Sequence, residues 1–310
     1  MRLIKLVPAD THFNFTGKRV AAFSLSAAMV FLSVFFLTVR GLNLGIDFRG
    51  GTMIDVKFEQ APDIISLRNQ LDELNLGEVK IQEFGEPENI LIRVQRQEGD
   101  EEAQQAAITA AVKEMLGEGP DYRRTEFVGP KVSSELIKAA GWAIGWALLA
   151  IMIYIWFRFE WQFGIGAIAA LTHDVVTTIG LFAILQLEFN LSTIAAILTI
   201  AGYSINDTVV VYDRVRENLR KFKKMALPDL LNQSINQTLA RTTMTSATTL
   251  LALLALYFFG GEVIHDFVFA MIWGVFVGTY YSIFIAAPLL IKLRLRRDSG
   301  GEGEAENSLP

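Results

Sequence analysis

Six stretches of this chain run for about 20 residues with almost no charge, each long enough to cross ~30 Å of hydrocarbon as a helix. They are Val20–Val39, Ala139–Phe157, Trp161–Leu187, Phe189–Tyr212, Thr242–Gly261 and Phe267–Ile291. With no water in the bilayer core, a spanning segment must satisfy its own backbone hydrogen bonds, so long apolar runs of this kind predict a helical bundle. Four of the six contain no charged residue. The third holds His173 and Asp174, and the fourth holds Asp207. The first run is long for a secretory signal, and Leu37-Thr38-Val39-Arg40 offers no small-residue cleavage site, so it reads as a retained span.

The apolar excess is not spread evenly. Hydrophobic residues make up 52% of the chain, too many for one ordinary soluble domain, yet the stretch from about Arg40 to Lys138 has ordinary polarity. The sequence therefore divides into residues 1–19, a first span at 20–39, a polar domain at 40–138, five spans within 139–291 with a basic connecting loop at 213–238, and a tail at 292–310. The tail is rich in Gly, Glu and Ser and predicts disorder. There are no cysteines, which excludes disulfides, thiolate catalysis and Cys-type metal sites. With only three histidines (His12, His173 and His265), a His-rich metal site is not expected either.

Orientation follows from Lys and Arg near the span ends. Basic residues precede the first span (Arg2, Lys5, Lys18, Arg19), fill the segment between spans four and five (Arg214 to Lys224), and follow the last (Lys292, Arg294, Arg296, Arg297). With six spans, all three fall on one side. Both termini are then cytoplasmic and Gly41–Lys138 lies outside. Trp156 and Trp161 flank the turn between spans two and three as interfacial anchors, and the 214–224 run suits anionic membrane lipids or a dedicated partner.

The external segment parses into six elements. Thr52–Phe58 alternates like a strand, and Asp63–Asn75 is a helix opened by Pro62 with Ile64, Leu67, Leu71 and Leu74 on one face. Val79–Phe84 and Asn89–Arg96 read as strands joined at Gly85–Pro87. Glu101–Leu116 is a helix stopped by Gly117, and Tyr122–Val128 is a last strand. The order βαββαβ predicts an α+β, ferredoxin-like domain. It carries 19 Asp and Glu against 11 Lys and Arg, a net of −8, which argues against nucleic acid. It shows no nucleophile–base pattern, phosphate loop or metal spacing, so a binding or gating module is expected rather than an enzyme, with no cofactor.

Ionisable groups in hydrocarbon cost at least ~2.5–3.5 kcal/mol each on insertion scales, so they are functional candidates. Asp207 sits ~27 Å down the fourth span at helical rise, in its cytoplasmic half. Aspartate is too short to snorkel far, and Val209–Tyr212 continue the apolar run beyond it; the other reading is an interfacial carboxylate. Arg241 opens the fifth span. With Thr238, Thr245 and Thr248 or Thr249 it forms a polar stripe that should face a neighbouring helix or a wet cavity. Its depth matches that of Asp207, so the two form a candidate pair. His173 and Asp174 lie ~18–20 Å into the third span, near the midplane. They read either as a proton relay or as a structural polar pair. Gly141–Gly145 and Gly274–Gly278 permit close helix contacts within the bundle.

These motifs carry a resemblance. Leu44-Gly45-Ile46-Asp47-Phe48-Arg49-Gly50-Gly51-Thr52 resembles the segment that opens the first external domain in the SecD/SecF family of protein translocase subunits. Leu171-Thr172-His173-Asp174, the run from Gly202 through Asn206, Asp207 and Thr208 to Glu217, and Ala240-Arg241-Thr242-Thr243-Met244-Thr245-Ser246 resemble its SecF branch. The similarity spans residues 15–295, with six spans and one external domain of the right size. It implies an RND-type half that pairs with a SecD-like second half and associates with the SecY-SecE-SecG channel. Such a subunit uses the proton-motive force to help an unfolded polypeptide emerge across the bacterial inner membrane, with residues 40–138 periplasmic. It also implies proton conduction through Asp207 and Arg241, with Asn206, Thr208 and Thr245 as supporting polar positions. The nearest alternative is a subunit of a proton-coupled small-molecule or lipid exporter of RND type.

Overall fold

The computed structural model describes residues 11–77, 79–84, 86–95, 101–260, 264–293 and 295. Of the expected disordered tail at 292–310, residue 294 and residues 296–310 lie outside them, as do the first ten residues and Gly85 of the expected turn. In chain order the elements are α1 (Arg19–Val39), β1 (Asn43–Leu44), α2 (Ile46–Arg49), β2 (Gly51–Lys57), α3 (Ile64–Glu73), β3 (Val79–Phe84), β4 (Glu86–Gln95), α4 (Glu101–Leu116) and β5 (Asp121–Val128). There follow α5 (Pro130–Arg158), α6 (Trp161–Leu185), β6 (Glu188–Phe189), α7 (Leu191–Lys221), α8 (Leu227–Phe259), α9 (His265–Tyr281) and α10 (Ala287–Lys292).

Among the described residues six helices are long and apolar enough to cross a membrane, where the apolar runs predict them. The helices outlast those runs. Proline needs no backbone donor at the first helical position, so α5 starts at Pro130, ahead of its apolar run. The segment expected as a basic loop at 213–238 is mostly the end of α7 and the start of α8. Hydropathy marks where a helix leaves lipid, not where its hydrogen bonds stop. Beyond that point polar contacts take over: Asn218 of α7 donates to Ser234 Oγ at 2.8 Å and Gln237 Oε1 at 2.9 Å on α8. The last span is interrupted by a π-helical turn at Ser282–Ala286. Pro288 follows it; a proline cannot donate to the helix ladder and clashes with the carbonyl four residues back, which the wider turn relieves.

The external domain has the expected βαββαβ order. Its sheet runs β3-β4-β2-β5 with every pair antiparallel, the ferredoxin-like arrangement. Period-two alternation places Ile54 and Val56 of β2 with Ile90, Ile92 and Val94 of β4 on one face, all fully buried. Leu67 and Leu71 of α3 and Ile108 and Val112 of α4 cover that face. Asp63 caps α3 by accepting from the Ile65 amide at 3.0 Å.

The opposite face of β4 presents Arg93, which pairs with Glu188 in the turn between α6 and α7. Around it the domain is moored to the outer end of the bundle. β1 pairs in parallel with β6, Asn43 opposite Glu188 and Leu44 opposite Phe189. The Gly45 amide donates to the Phe189 carbonyl at 2.9 Å, and the Leu191 amide donates to Asp47 Oδ2 at 3.0 Å. Burial holds the Arg93 guanidinium below its ordinary pKa, while the charges of Asp47 and Asp266 act in the other direction. The adjacent glycine pair makes the turn into β2: Gly50 has φ +75° and Gly51 +140°, conformations that L side chains rarely adopt.

The bundle core is split. A cluster at the end away from the sheet domain includes Phe163, Ala167, Val211, Tyr212, Ala286 and Leu290. An outer cluster includes Phe182, Ile194, Ile197, Val268 and Val275. Between the two clusters the bundle encloses polar side chains: His173 and Asp174 of α6, and Ser204, Asp207 and Thr208 of α7.

Candidate functional site

That polar layer contains three of the sequence candidates at full burial. Asp174 is 0% exposed, Asp207 3% and His173 5%. Asp174 of α6 is well partnered. His173 Nδ1 lies 3.2 Å from its Oδ1, and the Ser204 hydroxyl of α7 donates to its Oδ2. Gly278 of α9 makes room for this contact: a Cβ there would stand 3.1 Å from Ser204 Oγ and 3.3 Å from Asp174 Oδ2. Gly274, one turn earlier, packs against Ile200. The Gly274–Gly278 pattern thus works inside the bundle, whereas Gly141 and Gly145 face open space. The layer continues through a Thr208–Ser282 hydroxyl pair at 2.9 Å.

Asp207 is less well served. Its one side-chain contact among the described residues is the Ser246 hydroxyl of α8, which donates to Oδ2 at 3.5 Å, the long limit of a hydrogen bond. Ser246 Oγ also lies 2.7 Å from Thr279 Oγ1 of α9, in a hydroxyl–hydroxyl contact that either group can donate. Arg241 forms no ion pair with Asp207 and is exposed on α8. The two stand at one level, and the charge of Arg241 still acts on Asp207 without direct contact. The inward row of α8 is Ser234, Thr238, Thr242 and Ser246, all buried. Of the expected stripe, Thr238 belongs to this buried row, whereas Thr245 and Thr249 are half-buried and Arg241 and Thr248 are exposed. Asn206 is likewise exposed on α7, whereas Thr208 is fully buried. Sequence reasoning missed Ser204, Ser246, Thr279 and Ser282, all hydroxyls one helical turn from a recognised residue or its neighbour. A search for small polar residues at three- and four-residue spacing around each buried acid finds Ser204; Ser246, Thr279 and Ser282 lie on other helices, and only the packing brings them to the layer.

Chemically the layer holds two carboxylates at different levels of satisfaction. Each has a charged and a neutral state that differ in cost within hydrocarbon. No group of three or more His, Asp or Glu suited to a metal ion occurs among the described residues.

Comparison with known proteins follows the same lines. The family model described as "Protein export membrane protein SecD/SecF, C-terminal" matches residues 107–296, and the "SecD/SecF GG Motif" matches residues 35–62. A protein translocase subunit SecF of Rhodobacter capsulatus is 48% identical over 95% of this chain and 93% of its own length. The SecF subunit of Magnetococcus marinus is also 48% identical, over 91% and 92%. Among solved structures, SecDF from Thermus thermophilus, titled a translocon-associated membrane protein, superposes with a TM-score of 0.82 at 36% identity. The match covers 94% of this chain but 40% of that one. A SecDF structure in a "Super-membrane-facing form" gives 0.66 at 35% identity, covering 93% and 39%. At nearly equal identity the scores differ, so the two SecDF structures hold the matching region in different arrangements.

Proposed function

The chain belongs to the SecD/SecF family of protein export membrane proteins, as a multi-pass membrane protein of its SecF branch, and on that premise we propose that it is an accessory subunit of the Sec machinery. It pairs with a SecD-like second half, acts beside the SecY-SecE-SecG channel and draws on the proton-motive force during late translocation of an unfolded polypeptide. It resides in the bacterial inner membrane with both termini cytoplasmic and residues 40–138 periplasmic. The exporter alternative is not favoured by relatives that are translocase subunits over nearly their whole length.

The observation that carries the coupling is Asp207: a carboxylate 3% exposed inside a membrane span, with one long hydrogen bond and no ion pair among the described residues. In the proposed cycle Asp207 takes a proton from the outer side and releases it to the cytoplasm. Its change of charge alters the contact with Ser246 and hence the packing of α7 on α8. Arg241 and Asn206 are exposed and Thr245 is half-buried; polar groups against lipid are costly, and this face is the natural seat of the second half. Movement of α7 reaches the external domain through its first residues, because the Leu191 amide is held by Asp47 and Glu188 by Arg93. One proton crossing supplies ~2.3 kcal/mol per 100 mV plus the pH gradient, enough to move a two-state equilibrium severalfold to tens of fold. The different arrangements of the two SecDF relatives are in keeping with such a switch.

The test is Asp207→Asn, which keeps size and polarity and fixes the group as neutral. A neutral amide is cheaper in the membrane than a carboxylate, so abundance and co-purification with the SecD-like half should be normal. Export of a reporter protein in cells depleted of the native subunit should lose its dependence on the proton-motive force. Asp207→Glu, which keeps a titratable acid, should retain part of it. Full proton-dependent export by Asp207→Asn would remove Asp207 from the mechanism.

A further inference from the structure

A crevice of about 710 Å³ opens between α1 and α6 and ends against α9. Its walls are mostly aliphatic, Val30 and Val176 among them, but its lining also includes Ser26 of α1, Thr172 and His173 of α6, and Tyr281 of α9. Two of these present a buried polar atom with no partner among the described residues: Ser26 Oγ and His173 Nε2. The residues are 7% and 5% exposed. The other ring nitrogen of His173 is committed to Asp174, and the ring lies 4.7 Å from that of Tyr281. Small residues set the helix spacing. Ser33 of α1 rests on Gly180 of α6, and one heptad earlier on each helix stand Ser26 and His173, which both line the crevice.

An unpaired buried polar group is costly, and a bound water needs two to four polar partners and roughly 30 Å³ of space. The crevice provides the space and the partners. We propose that Ser26 and His173 form a water site at the floor of the α1–α6 crevice, which gives the His173–Asp174 pair its own access to water, apart from Asp207. The titratable groups facing His173 are Asp174 on its own helix and Tyr281 on α9, and beyond Asp174 the Ser204 hydroxyl leads to α7. Water at Nε2 completes a continuous polar path from the crevice through His173 and Asp174 to the helix that carries Asp207. In this path His173 is a positioning residue: it links water to Asp174 and fixes the orientation of the carboxylate. The role in proton coupling rests on the function proposed above, but the water site does not.

The chain has no cysteine, so single cysteines report cleanly. Thiol reagents of the charged methanethiosulfonate type attack the thiolate, which forms only where water reaches. In membranes holding the full complex, Val30→Cys and Val176→Cys should therefore react about ten-fold faster than Leu251→Cys on the exposed face of α8. Adding Ser26→Leu, which fills the floor, should bring both down to the Leu251→Cys rate. Equal rates at all three positions, as a dry or lipid-filled crevice would give, overturn the water site. Proton-dependent export should fall in Ser26→Leu and be kept in Ser26→Thr, which retains the hydroxyl. Fast labelling with unchanged export in Ser26→Leu overturns the link to proton coupling while leaving the Asp207 reading to its own test.

Discussion

The external domain and the membrane bundle bury opposite kinds of residue. The domain follows the rule for water: Ile54, Val56, Leu71, Ile90, Ile92, Val94 and Val112 are completely enclosed, and its acidic groups lie at the surface. The bundle encloses two apolar clusters and, between them, a layer of carboxylates, an imidazole and hydroxyls. In water, burial of apolar area is the driving force, and a polar layer would be a defect. In lipid that force is absent between helices, so hydroxyls can sit inside at modest cost and give neighbouring spans specific contacts. The domain is built to be stable, whereas the bundle is built around groups that can change state.

The sharpest way to break this contrast is to delete apolar volume from the domain. Leu71→Ala should cost about 2–5 kcal/mol of unfolding free energy, read by denaturant titration of residues 41–130, which should otherwise unfold cooperatively. Next in size is the mooring between the two regions. Arg93→Glu sets a carboxylate against Glu188 and should weaken docking by about 1.5–3 kcal/mol, with lower export and faster proteolysis of the domain in membranes. Adding Glu188→Arg should restore both, and failure of that rescue would show that the pair does not hold the regions together. The smallest effect is expected inside the polar layer. Thr208→Val removes one buried hydroxyl pair and should cost only about 0.6 kcal/mol in a detergent-unfolding assay of the full chain. A cost near that of Leu71→Ala would make the layer a stabilising core after all.

Much of the architecture can be read from the sequence because its signals are strong. A run of 20 apolar residues has one use, and the six alternating or amphipathic segments of the domain fall in an order with one common topology. Asp207, His173 and Asp174 stand out because a charge in such a run is conspicuous. What stays hidden depends on rotation and on very short elements. Periodicity finds two adjacent polar rows on α8 but cannot tell which one turns inward. Arg241, being charged, drew attention to the outer row, while the serine that touches Asp207 lies on the inner one. The β1–β6 ladder joins two residues to two, too few for any pattern to register. The π-helical turn before Pro288 is signalled only by the proline itself.

That ladder has a mechanical consequence. The external domain is joined to the bundle by covalent links at the end of α1 and the start of α5, and a rigid body hung from two points keeps one free swing about the line between them. The Asn43–Leu44 and Glu188–Phe189 bridges, with Arg93 and Asp47 beside them, add a third point off that line. Three points define a plane and remove the swing. Because the third point is noncovalent and lies at the first turn of α7, it acts as a clutch. While it is engaged, any rotation of α7 is delivered to the far edge of the domain with the domain's width as the lever, and once it slips the domain pivots freely without disturbing the helices.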